Sequence, residues 1–592
     1  MSPASPAPSP QAPQDSAPAG LLTELLDRWA EERGARRAFT AVAFDGPASP
    51  GTHTTVTWSA LRTRALAVAR RLAAGTAQGD RVALLLPQGL DYVTAFLGCL
   101  YAGVVAVPLF TPGLPGHEGR LSAVLADCAP ACLLTDSANE PAVREAAEDP
   151  APDAGVLCVD RIQDAQLPDS EGELREGVRA GGPEDAAYLQ YTSGSTRTPA
   201  GVVISHRNVA ANARQAVEAY AADPAVTTTV GWLPLFHDMG LVLSVAAPLY
   251  GGFPSVLMDP VAFLELPVRW LRLLSRYPGA VSAAPNFAYD YCVSRTGEEA
   301  REGLRLERVR ALINGSEPVR PATVERFGAA FAPYGLRAEA QCPSYGLAEA
   351  TVFVCADPPE REPSQLAVDR AALNDGKVVP VAAGDEGALH LVACGTPAGQ
   401  RLRVVAPDTG APLPEDTVGE IWLQGPNTGR GYRNRPELSA ETFAARLHGE
   451  EGLWLRTGDL GALHEGELLV TGRLKDLVIV DGRNHYPHDI EETVQERLPL
   501  VRRDRAAAFT VPAADPAAGG EQLVVVAEHR REAEPDADTR AAALVAARAA
   551  VSSGHGVRLA DLRLVEPGVI PRTSSGKVSR TACRARYLEG AL

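Results

Sequence analysis

The segment Tyr191-Thr-Ser-Gly-Ser-Thr-Arg-Thr-Pro-Ala-Gly201 is crowded with small hydroxyl residues and glycine, and it follows an aliphatic run that reads as a strand. On such a turn, backbone N–H groups and hydroxyls can surround the oxygens of a phosphate. The spacing G-x-x-x-x-G-K-[ST] is absent, so this is not a Walker loop. Taken alone, the segment fits a phosphate cradle or a Ser/Thr-rich surface turn equally well. A second chemical signal is the choice of cation. Lysine stands only at Lys377, Lys475 and Lys577, and the rest of the 56 basic residues are arginine. A GC-rich coding bias accounts for this, in keeping with the abundance of Ala, Gly and Pro. Each lysine that persists raises the question whether arginine could have served there.

The elements around these residues follow from periodicity. Strand patterns at Arg81–Leu86, Val104–Leu109, Ala131–Thr135, Val156–Asp160, Ala187–Thr192, Ala280–Ala284 and Val309–Ile313 alternate with helical ones at Tyr92–Ala102, Ser205–Ala222, Val268–Ser275 and Ala322–Phe331. That alternation predicts parallel sheets covered by helices. After Val354 the texture changes: a Pro-rich, mixed-charge stretch with Pro358, Pro359 and Pro363 leads into strands at Arg401–Val405 and Gly419–Gln424. A further change near Leu474 opens a stretch with strands at Val478–Val480, Arg505–Val511 and Leu523–Glu528, read as a compact α+β domain. Residues 1–20 are Pro/Ala/Ser-rich and cannot offset the entropy of ordering, which predicts a disordered leader. The expected division is therefore 1–20, 21–474 with an insertion at about 360–385, and 475–592.

Composition excludes some functions. The net charge of −17 argues against gripping nucleic acid or an anionic membrane. The uncharged stretch Tyr92–Gly116 is broken by Gly103 and by Pro108, Pro112 and Pro115, so it reads as a buried helix and strand rather than a membrane span. Nine cysteines without a Cys-x-x-Cys pair give no disulfide framework, and no charged leader precedes an apolar run; a reduced, cytoplasmic protein is expected.

Six further blocks follow the Ser/Thr-rich segment in order, and a last one lies near the end. They are Gly231-Trp-Leu-Pro-Leu-Phe-His-Asp-Met-Gly240, Asn314-Gly-Ser-Glu-Pro318, Pro343-Ser-Tyr-Gly-Leu-Ala-Glu349, Gly419-Glu-Ile-Trp422, Arg456-Thr-Gly-Asp459, Gly472-Arg-Leu-Lys-Asp476 and finally Pro571-Arg-Thr-Ser-Ser-Gly-Lys577. With these the chain resembles the adenylate-forming superfamily of acyl-CoA synthetases, luciferases and peptide-synthetase adenylation domains, from about Leu21 to Tyr587. Within it the sequence is most similar to the fatty acyl-AMP ligases. Their phosphate loop typically reads as here, with Arg197 and Ala200 where acyl-CoA synthetases carry Gly and Lys. Asn286-Phe-Ala-Tyr-Asp290, Cys394-Gly-Thr-Pro397, Asp481-Gly-Arg-Asn-His-Tyr-Pro487 and the insertion-like Pro363–Ala383 also look like that family.

The resemblance implies an α/β adenylating-enzyme fold. Its large N-terminal domain would hold two helix-covered, mainly parallel sheets and a small distorted β-barrel, with a small mobile α+β domain following. It implies attack of a fatty acid carboxylate on the α-phosphorus of ATP with Mg2+, releasing pyrophosphate, and then transfer of the acyl group to the phosphopantetheine thiol of an acyl-carrier protein acting in trans, for polyketide, lipopeptide or lipid assembly. Two anions must meet, so positioning and charge neutralisation would carry the catalysis. By position, Thr192, Ser193, Gly194, Ser195 and Thr196 would cradle phosphates, and Glu349 would hold Mg2+. Tyr345 stands between a core tyrosine and a flat face for adenine, with Gly315 and Ser316 opposite, and the resemblance favours adenine; Ser344, Gly346 and Glu317 would belong to the same nucleotide site. Asp459 would take the ribose hydroxyls, and Arg473 the same ribose or the phosphate. His237 stands between a satisfied core histidine and a gate for the entering carboxylate, and the resemblance favours the gate. Lys577 would bridge carboxylate and α-phosphate, and Lys475 would be the interdomain hinge; Lys377 has no assigned chemistry. Arg580, Arg584 and Arg586, or Arg502, Arg503 and Arg505, fit a docking patch or a solvated arginine-rich face. The other readings are a fatty acyl-CoA synthetase of the same fold and a non-catalytic nucleotide- or acyl-binding relative. The insertion and the lysine-free loop speak against the first, and retention of Glu349, Asp459 and Lys577 against the second.

Overall fold

Six strands build the first sheet in the order Gly155–Cys158, Cys132–Thr135, Arg81–Leu84, Val105–Pro108, Ala186–Tyr191 and Gly201–Ser205. All neighbours run parallel except the last pair, where Tyr191 sits opposite Gly201. The structure is a computed structural model that describes residues 20–114, 119–162, 178–191, 199–480, 483–512, 521–572 and 577–592. The expected leader, apart from Gly20, and the expected phosphate ligands Thr192–Thr196 lie outside the described residues.

A second sheet of nine strands runs Thr396–Pro397, Phe353–Ala356, Gln341–Gly346, Ala311–Gly315, Ala280–Pro285, Thr228–Gly231, Ser255–Met258, Arg37–Ala43 and Thr52–Thr57. Its middle six strands are parallel, and antiparallel strands flank them. The near-continuous burial of Ala280–Pro285 and Ala311–Gly315 is what a strand covered on both faces requires. The helix Leu90–Ala102 lies between the sheets, buried along nearly its whole length, and stops at Gly103 with φ +66°. This is the stretch whose apolarity invited a membrane reading. Among the described residues no helix is long and apolar enough to cross a membrane.

The strands Arg401–Val405, Gly419–Gln424, Leu455–His464 and Glu467–Arg473 form a four-stranded antiparallel sheet. The expected insertion is an ordered hairpin: Gln365–Asp369 pairs with Ala388–Val392, with the short helix Arg370–Asn374 between them. Its Val368, Leu373, Val378 and Leu391 pack with Leu460, Ala462 and Leu469 of the four-stranded sheet and with Tyr486 of the following segment. Lys377 bridges Thr417 through the backbone and leaves its side chain exposed. Past Val478 the chain builds a three-stranded sheet, Val501–Pro512, Glu521–His529 and Leu559–Val565, with helices Pro487–Arg497, Ala537–His555 and Arg580–Leu588. Here most of the expected docking arginines are spent internally. Arg580 pairs with Glu491, Arg502 with Glu528, Arg584 donates to Thr510 O and Arg586 to Val569 O. All nine cysteines are buried and unpaired.

His206 opens the helix His206–Ala219 and is 2% exposed. Burial lowers its pKa from 6.5 to about 4, against a small opposing pull from Asp185. The folded value lies below the unfolded one, so this stability is complete above pH 6.5 and drains away as pH falls towards 4. A shift of that size corresponds to about 3 kcal/mol. In chemical denaturation across this window, His206→Gln should lose less stability than the wild type by about that amount; parallel pH profiles would refute the assignment.

Candidate active site

Several of the blocks singled out in the sequence emerge from the carboxyl ends of parallel strands, where open α/β sheets bind their ligands, while Gly419–Trp422, Arg456–Asp459 and Gly472–Arg473 lie on the antiparallel four-stranded sheet. Gly231 ends one strand and leads into Trp232–Gly240, Pro285 leads into Asn286, Gly315 into Ser316, and Gly346 into Glu349. The backbone of these turns is tightly specified. Ser316 has φ +73° and Thr351 φ +70°. A Cβ on Gly315 would lie 2.8 Å from Ser344 O, and one on Gly346 only 1.7 Å from Val352 O, so no side chain fits at either place.

Tyr345, Asp459 and Arg473 form one hydrogen-bonded set. The Tyr345 hydroxyl donates to Asp459 Oδ2 at 2.8 Å, and Arg473 Nε donates to Oδ1 at 3.0 Å. Asp459 is 6% exposed, and its charge raises the Arg473 pKa further. The register places Asp459 directly opposite Arg473 across the Leu455–His464 and Glu467–Arg473 pair. Ser344 differs from its neighbours: its hydroxyl donates to Cys355 O at 2.9 Å and contacts Tyr220 at 3.0 Å, so only its main chain is left to meet a ligand. Glu317 accepts from Phe287 N at 3.0 Å.

His237 precedes the helix Asp238–Leu241, which continues through a π turn, Val242–Ala246, into Ala247–Gly251. Such turns recur at functional sites. Asp238 Oδ1 lies 2.7 Å from His237 Nδ1 and accepts from Met239 N at 2.7 Å. This bond fixes the ring so that Nε2 faces away from Asp238. Gln190, near the end of the strand Ala186–Tyr191, donates to Phe236 O at 3.0 Å. The two segments are thus joined just before the chemistry-bearing residues of each.

Lys577 arrives from the far end of the chain. Burial and the Arg473 guanidinium hold its ammonium below the usual lysine pKa, while Glu317, Asp238 and Asp459 pull the other way. These four charged groups belong to four separate blocks, and Lys577 sits among them. Ser574, Ser575 and Gly576, which precede it, lie outside the described residues. Lys475 is exposed in the short turn Leu474–Asp476 between the four-stranded sheet and Val478–Val480, and its neighbour Asp476 lies 3.5 Å from Arg580.

Glu349 is half-buried, and burial raises its pKa against the opposing hydrogen bond from Tyr432, whose hydroxyl donates to Oε1 at 2.7 Å. Among the described residues no group of three or more His, Cys, Asp or Glu is placed to cage a metal. One hard carboxylate completed by substrate phosphates is how Mg2+ is commonly held, so the donor set fits that ion. Tyr432 is the residue that sequence reasoning missed. Its signal is an aromatic between Gly431 and Arg433 in Gly429-Arg-Gly-Tyr-Arg-Asn434, a spacing with no chemistry of its own.

Comparison with known proteins agrees with this geometry. The model of the family "AMP-binding enzyme" matches residues 26–433. The long-chain-fatty-acid–AMP ligase FadD26 of Mycobacterium marinum is 44% identical over 580 residues, covering 96% of this chain and 97% of the relative. The 4-hydroxyphenylalkanoate adenylyltransferase of the same organism is 42% identical over 578 residues, covering 96% of this chain and 91% of that protein. The crystal structure of the fatty acyl-adenylate ligase from L. pneumophila in complex with acyl adenylate and pyrophosphate superposes with a TM-score of 0.72 at 33% identity, covering 96% of each chain. By sequence and by fold, the chain belongs to the AMP-binding enzymes and, among them, to the fatty acyl-AMP ligases.

Proposed function

We propose that the protein activates a medium- or long-chain carboxylic acid with ATP as an acyl-adenylate and passes the acyl group to the phosphopantetheine thiol of a separate acyl-carrier protein. The observation that carries this is the convergence of Glu317, Asp238, Asp459 and Arg473 around Lys577, together with the Arg473–Asp459 pair at 3.0 Å. Tyr345 and the Gly315–Glu317 turn flank the adenine, and Asp459, steadied by Arg473, accepts from the ribose hydroxyls. Thr192–Thr196 cradle the phosphates. The acid enters past His237, whose ring Asp238 orients. Lys577 then lies against both the attacking carboxylate and the α-phosphate, so the negative charge that builds between them meets a fixed cation. Glu349 is the residue that would hold Mg2+, which when bound neutralises phosphate charge. Residues 475–592 act as the moving domain, turning about Lys475 between the two half-reactions. The setting is cytoplasmic.

The relatives' names span aliphatic and aryl-terminated acids, so the test is a panel. Pyrophosphate release should depend on the acid supplied, with ATP and Mg2+ present, and no acyl-CoA should accumulate when CoA is added. Release that is independent of the acid, or abundant acyl-CoA, would overturn the reading.

A further inference from the structure

We propose that Tyr432 is a positioning residue that presents the Glu349 carboxylate to the divalent cation, and that the strap Gly429–Asn434 joins this carboxylate to the exit of the phosphate loop. The inference rests on the reading of Glu349 as the residue that holds Mg2+.

The strap touches both partners. Gly429 N donates to Glu349 O at 2.8 Å, so it fixes the main chain of the acidic residue. Three further bonds reach the strand that leaves the phosphate loop: Arg430 N to Val203 O at 2.9 Å, Val203 N to Gly431 O at 2.9 Å, and Arg433 N to Gly201 O at 2.8 Å. Val202 and Tyr432 face one another across this short ladder. Gly429 has no room for a side chain, because a Cβ there would lie 2.8 Å from Val202 and 3.2 Å from Glu349 O. Six residues thus link the residue read as the cation's ligand to the strand Gly201–Ser205.

Tyr432 is itself held on every side. Its N–H donates to Ser439 Oγ at 2.8 Å, and the Ser439 hydroxyl returns a bond to Tyr432 O at 3.1 Å. Its ring meets Phe443 edge-on at 5.1 Å between centroids. A tyrosine anchored in this way delivers its O–H to Glu349 Oε1 at a fixed place. That bond stops the carboxylate from rotating and leaves Oε2 as the oxygen not taken by the tyrosine. Partners of this kind, behind a metal's own ligand, commonly change metal affinity by about 10- to 100-fold when removed.

The test uses the full-length protein, with Mn2+ as the spectroscopic probe, in the presence of ATP and without fatty acid. Tyr432→Phe keeps the ring and its contact with Phe443 while removing the hydroxyl. It should weaken Mn2+ binding to the protein–ATP complex by about 10- to 100-fold. It should also raise the Mg2+ concentration needed for half-maximal pyrophosphate release by a similar factor, with the KM for fatty acid unmoved. Glu349→Gln should remove protein-dependent Mn2+ binding altogether. Wild-type Mn2+ affinity in Tyr432→Phe, with Glu349→Gln impaired, would overturn the positioning role, and so would a lower melting temperature with unchanged Mn2+ affinity. Wild-type Mn2+ affinity in Glu349→Gln would overturn the metal reading itself, and the present inference with it.

Discussion

Replacing Lys577 with alanine is expected to slow acyl-adenylate formation by about 10²- to 10³-fold, the usual cost of removing one fixed charge or donor from a site where charge develops. ATP binding should weaken by much less. The reason lies in the charges around the residue. Before the substrates arrive, Glu317, Asp238 and Asp459 share the ammonium, and Arg473 opposes it. The attacking carboxylate and the α-phosphate add negative charge to that neighbourhood, and the addition is greatest where the new bond forms. The interaction therefore strengthens towards the transition state, which lowers the barrier rather than the ground state. Single-turnover adenylation and ATP binding, measured on the same variant, separate the two effects; equal losses in both would refute the role. Lys577→Arg sharpens the test. A guanidinium keeps the charge but presents a planar fork in place of a compact point. In a chain that uses arginine at almost every other basic position, a Lys577→Arg enzyme with full activity would mean that lysine here is an accident of composition. Retention of no more than a small fraction is expected.

How legible the site was in the sequence depended on the length of chain that each feature involves. The residues at strand ends were legible because strand, turn and chemistry lie within ten residues of one another: Asn314–Glu317 follows Ala311–Gly315, and Tyr345 and Glu349 bracket the end of Gln341–Gly346. The alternation of strands and helices predicted parallel sheets covered by helices for the same local reason, while their number came from the family resemblance and strands such as Arg37–Ala43 and Ser255–Met258 were not foreseen. What escaped was built from distant chain. Tyr432 reaches Glu349 across 83 positions, and nothing near it in sequence hints at a carboxylate partner. Ser344 was read as facing a ligand, but strand alternation together with Tyr220 and Cys355 takes its hydroxyl into the sheet. The docking arginines were visible as a charge cluster, while the acceptors that occupy them, such as Glu491 and Thr510 O, lie up to 89 positions away. The insertion was legible as a change of texture, but its hairpin was not, because prolines and mixed charge mask the alternation of Gln365–Asp369 and Ala388–Val392.

That hairpin carries the second large expectation: loosening it should let CoA serve as an acceptor where the intact enzyme refuses it. Val368, Leu373, Val378 and Leu391 share one apolar cluster with Tyr486, which lies beyond the Leu474–Asp476 turn. The Tyr486 hydroxyl also reaches Leu373 O at 3.5 Å. The insertion thus adheres both to the four-stranded sheet and to the segment read as the moving domain, and it resists any turn that would part them. Removing Pro363–Ala383 outright would strip three of these side chains and expose Leu391, Leu460, Leu469 and Tyr486 to water, so lost stability would accompany any change in acceptor. Leu373→Ala is the cleaner lesion. Leu373 is 1% exposed, and a buried Leu→Ala change costs about 2–5 kcal/mol. Even the lower figure, if spent on this contact, shifts a docking equilibrium by about 30-fold. The variant should keep fatty-acid-dependent pyrophosphate release within about twofold of wild type, since Leu460, the cluster member next to Asp459, faces the opposite side of its strand. It should become more open to proteolysis around Lys475, and it should form acyl-CoA from ATP, Mg2+, fatty acid and CoA. A folded Leu373→Ala enzyme that adenylates normally, is cut faster at the turn and still makes no acyl-CoA would show that the insertion's grip on Tyr486 is not what excludes CoA.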